Sequence, residues 1–212
     1  MKSSAATTIL LVRHGHVPGI APEMFRGRTE IELTDRGVVE ARKTAAWIAR
    51  SWQPTIVYSS PMKRCRDTGA VIAKQCATNV EILPNLNDLD FGEWRWQAHA
   101  VVAQEWPELY HRWRTVPHLM RFPNGESLQD LVARAADALR LAIEKHPAET
   151  IVMVGHDSVN RAMLLQVSDQ PLSQYWKLAQ DPCAINEIVV APDRVVAVRV
   201  NETAHLRVPA PI

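Results

Sequence analysis

The sequence predicts an α/β fold: a three-layer α/β/α sandwich with a mostly parallel central sheet and a cap insertion. Short runs of β-branched and aliphatic residues, typical of strands buried on both faces, occur at 7–12, 55–58 and 150–154. Segments with helical spacing of apolar residues separate them. This alternation is typical of parallel strands joined by right-handed crossovers.

Turn and capping residues mark the individual elements. Thr34 is a good helix N-cap before an apolar pattern of period 3.6. Ser60 and Pro61 favour the start of a second helix, with Ser as the cap and Pro in the first turn. The expected strands are 7–12, 55–58, 80–83, 150–154, 185–190 and 195–200, and the expected helices begin after Thr34 and cover 62–75, 127–146, 158–166 and 172–179.

Residues 85–124 differ in composition from the rest of the chain. They hold four of the seven tryptophans together with several Arg and His residues. We expect a helix over 97–113, broken near Pro107, within an insertion that covers one end of the sheet. The tryptophans either pack this cap against the sheet or line a substrate pocket, and the basic residues could bind a second anionic group.

Composition excludes several classes of protein. The 212 residues are 47% hydrophobic and 22% charged, as in ordinary globular proteins, and we expect a single domain over 1–212. A net charge of +1 argues against a general affinity for nucleic acid or an anionic membrane. Three scattered cysteines do not make a disulfide framework, and Met1–Thr8 does not resemble a signal peptide. No segment is apolar enough to span a membrane, so we expect a cytoplasmic protein.

Reactive side chains follow three of the buried strands. Arg13 and His14 follow the first, Arg64 lies shortly after the second, and His156 and Asp157 follow the fourth. Ligands bind beyond the carboxyl ends of parallel strands, so neighbouring strands would bring these groups into one pocket. Arginine offers a planar fork of donors to phosphate oxygens, and imidazole can act as a nucleophile or a donor. The pattern therefore predicts a site for a tetrahedral phosphate dianion.

Six short motifs occur in order along almost the whole chain. They are RHG at 13–15, FRG at 25–27 with LTDRG at 33–37, SSP at 59–61 with Arg64 and Thr68, LNDLDFGEW at 86–94, PNGES at 123–127 with Arg134, and GH at 155–156 with Val159 and Arg161. Together they resemble the motifs of the histidine phosphatase superfamily, in its phosphoglycerate-mutase-like branch.

The resemblance implies a reaction that needs no metal or other cofactor. His14 would attack phosphorus and become a phosphohistidine. Arg13, Arg64 and His156 would hold the phosphoryl oxygens, and Arg26 would also bind the substrate. The arginines and the second histidine would supply the positive charge that a metal provides elsewhere.

The resemblance also implies a general acid, and here the sequence departs from the family. Where the family usually has Glu, this chain has Asp88, which is one methylene shorter. Asp157 is the alternative acid, because a related acid-phosphatase branch uses an Asp directly after its second histidine. Two further departures are Val17, where a hydroxyl residue is usual, and Arg95-Trp96 in place of Glu-Gly.

These observations leave three functions open. A phosphatase acting on small phosphate monoesters is favoured, because the chain is short for a mutase and its acid is altered. A cofactor-dependent phosphoglycerate mutase is the alternative enzyme, and a catalytically idle phospho-ligand binder is the alternative outside enzymes. The expected partner is a small phosphorylated substrate, whose identity the sequence does not reveal, and the oligomeric state stays open.

Overall fold

A six-stranded sheet forms the centre of the computed structural model, which describes residues 6–207. Its strands are β1 (Thr7–Arg13), β2 (Ile56–Ser59), β3 (Asn79–Ile82), β4 (Thr150–Gly155), β5 (Ile185–Ala191) and β6 (Arg194–Glu202). They lie in the order β3-β2-β4-β1-β5-β6. The first four in this order are parallel, and β5 and β6 form an antiparallel hairpin beside β1. The prediction of a mostly parallel sheet is confirmed.

Helices cover both faces of this sheet. They are α1 (Asp35–Ser51), α2 (Lys63–Gln75), α3 (His99–Glu105), α4 (Pro107–Thr115), α5 (Leu128–Lys145), α6 (Asp157–Val167) and α7 (Ala204–Arg207). Leu10 and Val12 belong to a core cluster with residues of α1 and α2. Their neighbours Ile9 and Leu11 pack with residues of α5 and α6. Successive side chains of one strand point to opposite faces, so this alternation gives the three predicted layers.

Two helices differ from the sequence expectation. The N-cap of α2 is Met62, without a side-chain capping bond, and Pro61 lies outside the helix. The Ser60 hydroxyl does accept a bond from the Met62 N–H, but it also contacts His156 and therefore serves the site more than the helix. Leu172–Lys177 is a 3₁₀-helix instead of the expected α-helix.

The tryptophan-rich segment 85–124 contains α3 and α4, which are separated at Trp106. The expected break in its helix is therefore present. Trp94 and Trp113 are buried and pack edge-on against Phe122. Trp96 is different, because it is 41% exposed and its backbone has a φ of 62°. Two of the tryptophans thus form an aromatic core that attaches this segment to the sheet.

The loop after β1 is held by the start of α1. The Thr34 hydroxyl accepts a bond from Gly37 N–H, which confirms the predicted N-cap, and Glu40 accepts a bond from His16 N–H at 2.9 Å. A Cβ atom on Gly15 would lie 2.6 Å from the carbonyl oxygen of Gly37. Only glycine allows the two backbones to approach this closely. The Gly of the RHG motif therefore positions the loop that carries the histidine.

Membrane spans and cysteines bear on the expected compartment of the protein. Within residues 6–207, no helix is both long and apolar enough to cross a bilayer. Cys65, Cys76 and Cys183 are all free thiols. The cytoplasmic setting and the single domain over 1–212 stay predictions. Both chain ends, including most of Met1–Thr8, lie outside the described residues.

Ala77 provides a test of backbone strain at the end of α2. It follows the C-cap of the helix with a φ of 53°, a left-handed conformation that favours glycine. We expect Ala77→Gly to raise the free energy of unfolding by about 0.5–1 kcal/mol. Ala70→Gly is the matched control: it lies exposed inside the same helix and should lower that free energy by about 1 kcal/mol. Urea unfolding measures both, and a loss of stability in both variants would contradict the assignment of strain.

Candidate active site

Three neighbouring strands bring the predicted residues together at the carboxyl edge of the sheet. β4 pairs with β1 on one side and with β2 on the other. Arg13 ends β1, His156 is the N-cap residue of α6 directly after β4, and Arg64 lies in the first turn of α2 after β2. The ring centroids of His14 and His156 are 5.2 Å apart. All four side chains are buried.

Hydrogen bonding determines which nitrogen of His14 is available for chemistry. Nδ1 lies 2.8 Å from the carbonyl oxygen of Gly15, which can only accept a bond, so Nδ1 carries the proton. The lone pair of the neutral ring is then on Nε2. Burial and the positive charges of Arg64 and Arg13 lower the pKa of His14 well below its usual value. His14 is therefore a neutral imidazole with its Nε2 lone pair available as a nucleophile.

His156 has the opposite arrangement of its ring nitrogens. Nδ1 lies 3.1 Å from Nη2 of Arg64, which can only donate, so Nδ1 accepts. Nε2 then carries the proton and donates it to the Ser60 hydroxyl at 2.8 Å. Burial and the adjacent guanidinium of Arg64 lower the pKa of His156 well below its usual value. A phosphoryl dianion beside this ring would favour its protonated form and turn Nδ1 into a donor.

Arg64 joins the elements of the site. Its Nη1 donates to the Thr29 carbonyl oxygen at 2.9 Å, and its Nη2 lies 2.7 Å from the Gly27 carbonyl oxygen and 2.9 Å from Oδ2 of Asp88. With His156 Nδ1, Nη2 has three acceptors for two hydrogens. An incoming phosphoryl oxygen can therefore replace one of these acceptors without leaving the guanidinium unpaired.

Asp88 lies against both Arg64 and His156. Oδ2 is 3.5 Å from His156 Nδ1, and Oδ1 accepts bonds from the Ser158 hydroxyl at 2.6 Å and from Leu89 N–H at 2.9 Å. Burial raises the pKa of Asp88, although Arg64 opposes the shift. A carboxyl group with a raised pKa holds a proton closer to neutral pH, as a general acid requires.

Asp157 has the opposite electrostatic environment. It is the first residue of α6, where its carboxylate accepts a bond from Ser158 N–H at 3.0 Å and pairs with Arg161 at 3.3 Å. Burial alone would raise the pKa of Asp157, but the charges of Arg13 and Arg161 outweigh it and hold that pKa well below its usual range. A carboxylate that stays ionised is a poor proton donor. At this position the negative charge of Asp157 balances the nearby arginines and interacts favourably with the positive end of the α6 dipole.

A cavity of about 170 Å³ opens beside these groups. Arg13, Arg26, Asp88 and Asp157 are among the residues that line it. His14, Arg64 and His156 are not, although Arg64 and His156 both contact Asp88. The Nε–H groups of Arg13, Arg26 and Arg64 are buried and have no hydrogen-bond partner among residues 6–207. Buried unpaired donors cost free energy, so those of Arg13 and Arg26, which line the cavity, indicate the place of an anion.

The structure also adds residues that the sequence reasoning did not assign to the site. Ser158 bonds to Asp88, Arg161 pairs with Asp157, and Trp176 lines the cavity. Ser158 and Arg161 lie two and five residues after His156, and this closeness in the sequence could have indicated that they belong to the site. No pattern marks Trp176, which comes from the 3₁₀-helix after α6. Within residues 6–207, no three His, Cys, Asp or Glu side chains are placed to share a metal ion.

Comparisons with known proteins agree with this geometry. The family model of the histidine phosphatase superfamily (branch 1) matches residues 9–203. Phosphoserine phosphatase 1 of Hydrogenobacter thermophilus is 30% identical over 200 residues, which are 93% of each chain. A metal-independent phosphoserine phosphatase of Arabidopsis thaliana is 32% identical over 167 residues, which are 78% of this chain and 70% of that protein.

A solved structure shows the same fold at lower sequence identity. Bacillus stearothermophilus YhfR superposes with a TM-score of 0.90 over 95% of this chain and 100% of its own, at 22% identity. The motif resemblance is therefore confirmed by both sequence and fold. This chain belongs to the histidine phosphatase superfamily.

Proposed function

We propose that this chain is a phosphatase that hydrolyses small phosphate monoesters through a phosphohistidine on His14. The observation that carries the proposal is the hydrogen bond from His14 Nδ1–H to Gly15, which leaves Nε2 unprotonated among buried arginines. The two relatives described above bear the names of phosphoserine phosphatases, which supports hydrolysis as the reaction.

In the first step, His14 Nε2 forms a bond to phosphorus while the bond from phosphorus to the ester oxygen breaks. Arg13, Arg64 and protonated His156 stabilise the charge on the phosphoryl oxygens. Asp88 gives its proton to the departing oxygen, so that an alcohol leaves instead of an alkoxide. The products are the alcohol, the phosphohistidine and an ionised Asp88.

In the second step, water replaces the alcohol. The Asp88 carboxylate takes a proton from water as the water oxygen attacks phosphorus, and the P–N bond to His14 breaks. Inorganic phosphate, neutral His14 and protonated Asp88 result, so the cycle closes without a cofactor.

The cavity walls suggest where the leaving group binds. We assign the segment 85–124 as the substrate cap, since His99 and Arg114 of this segment line the cavity. The guanidinium carbon of Arg114 lies 5.0 Å from the ring centroid of Trp176, which also lines the cavity. An arginine held on an indole suits a carboxylate on the leaving group. The small volume favours a substrate of few carbon atoms, such as phosphoserine.

The nucleophile is tested by His14→Ala. Without the imidazole, turnover of any monoester should fall by a factor on the order of 10³ or more, because no covalent intermediate can form. Rapid quench with ³²P-labelled substrate should trap acid-labile phosphohistidine in the parent protein and none in the variant. His111→Ala, on an exposed face of α4, is the control, and it should keep both the turnover and the trapped phosphohistidine. Near-normal activity of His14→Ala would contradict the mechanism.

The general acid is tested by comparing Asp88→Asn with Asp157→Asn. A proton donor matters for an alkyl alcohol and much less for p-nitrophenol, which leaves readily as an anion. Asp88→Asn should therefore slow phosphorylation by alkyl phosphates by a factor on the order of 10² or more and by p-nitrophenyl phosphate far less. Single-turnover kinetics on both substrates measure this. A leaving-group-dependent loss in Asp157→Asn alone would make Asp157 the acid.

Asp157→Asn should mainly affect stability. Its lowered pKa stabilises the fold above the unfolded pKa, near 3.9, and this contribution is lost as the pH falls through the still lower folded pKa. We expect a loss of about 1.5–3 kcal/mol in the free energy of unfolding at neutral pH, from the weakened pair with Arg161. The difference from the parent protein should shrink below about pH 4.

The leaving-group site is tested by Arg114→Gln against Arg112→Gln. Both residues lie near the end of α4, but only Arg114 lines the cavity. For phosphoserine, kcat/KM should fall about 10- to 100-fold in Arg114→Gln. For phosphoethanolamine, which lacks the carboxylate, it should change little, and Arg112→Gln should behave as the parent on both substrates. An equal loss on both substrates would remove Arg114 from carboxylate recognition.

A further inference from the structure

The loop that carries Asp88 has little regular structure of its own. Two three-residue 3₁₀-helices, Pro84–Leu86 and Gly92–Trp94, are its regular elements, and Asp88 lies between them. An aspartate reaches one methylene less far than a glutamate, so the position of its backbone matters more. Something outside the loop must therefore hold the backbone of Asp88 close to the phosphoryl site.

Arg134 of α5 donates three of the hydrogen bonds that hold this loop. Its Nη1 donates to the carbonyl oxygens of Asn85 at 2.9 Å and Asn87 at 2.7 Å, and its Nη2 donates to that of Asp88 at 2.9 Å. Three backbone carbonyls within four residues thus bind one guanidinium. The planar fork of arginine can hold such a set of acceptors, and the single ammonium of lysine cannot.

Glu126 holds Arg134 in place. Its Oε1 accepts from Arg134 Nε and its Oε2 from Arg134 Nη2, both at 3.0 Å. Oε1 also accepts from Arg28 Nη2 at 2.7 Å, and Arg28 Nε donates to the Asp88 carbonyl oxygen at 3.2 Å. The side chains of Arg134 and Glu126 are each 17% exposed, so their pairing is only weakly screened by solvent.

We propose that Arg134, oriented by Glu126, is a positioning residue that sets the reach of the Asp88 carboxyl group toward the leaving oxygen. The proposal rests on the proposed function, because it acts on the acid of that reaction. Arg134 does not line the cavity, and its bonds to the loop go to backbone oxygens, so it acts through Asp88 and not on the substrate. Replacing Arg134 should therefore slow the reaction of those substrates whose leaving group needs a proton from Asp88.

The first test compares Arg134→Gln and Arg134→Lys with Arg140→Gln. Arg140 is the matched control: it lies on the same helix, is 62% exposed, and within residues 6–207 forms its ion pairs with residues of its own helix. Arg134→Gln should slow phosphorylation by an alkyl phosphate on the order of 10- to 100-fold, with p-nitrophenyl phosphate slowed less than threefold. KM should stay within about threefold, and Arg134→Lys should recover part of the rate. Arg140→Gln should match the parent protein.

The second test is a double-mutant cycle. If Arg134 acts only through the acid, Asp88→Asn combined with Arg134→Gln should be no slower on the alkyl phosphate than Asp88→Asn alone. Melting temperatures identify variants that fail to fold. If Arg134→Gln does not fold, Arg134→Lys and Glu126→Gln replace it in this comparison. Their loss of rate should be smaller and should again be greater for the alkyl phosphate than for p-nitrophenyl phosphate.

Two results would overturn the positioning role. Equal losses on both substrates would indicate a merely structural arginine, and additive losses in the double mutant would indicate an action independent of Asp88. Failure of the proposed function looks different. In that case the parent protein forms no phosphohistidine with any monoester, and both proposals fall together.

Discussion

The buried guanidinium of Arg64 is the interaction on which the site depends. It lies fully inside the protein and bonds to two backbone carbonyls of the loop before α1, to Asp88 and to His156. A buried cation without partners is very costly. The segments that carry these groups, namely α2, the loop before α1, the loop with Asp88 and the residue after β4, must therefore come together for the chain to fold. The need of the Arg64 guanidinium for hydrogen-bond partners thus assembles the groups that bind the phosphoryl anion.

The same charge determines the protonation of its neighbours. The two imidazoles, buried beside a guanidinium, stay neutral in the resting protein. Neutral His14 is a nucleophile, whereas a protonated ring would be inert. The two carboxyl groups differ because the charges of Arg13 and Arg161 outweigh burial at Asp157, which stays ionised, whereas burial outweighs the charge of Arg64 at Asp88. Burial and positive charge together therefore give a neutral, nucleophilic histidine, and burial against that charge gives an acid-like aspartate.

The departures from the family pattern also have physical consequences. Asp88 replaces a longer acid, and the fork of Arg134 holds its backbone where a short side chain can reach. Trp96 stands where the family often has glycine, and it keeps the left-handed backbone that glycine would adopt easily. Its N–H still donates to the Phe25 carbonyl oxygen at 2.7 Å, so the turn survives the substitution. Nothing in the structure explains why an exposed indole is kept there.

The sequence by itself determined the fold class, because buried strands and amphipathic helices have different periods and alternate along the chain. It also predicted that Arg13, His14, Arg64 and His156 would meet if their strands were neighbours, since each lies at or after the carboxyl end of a strand, and the structure supplied that adjacency. Only the tertiary structure gives the two candidate acids, Asp88 and Asp157, opposite pKa shifts, because a pKa depends on burial and on charges distant in the chain. Likewise, Arg134 lies 46 residues from Asp88, and its bonds go to backbone oxygens, which leave no pattern in the side chains.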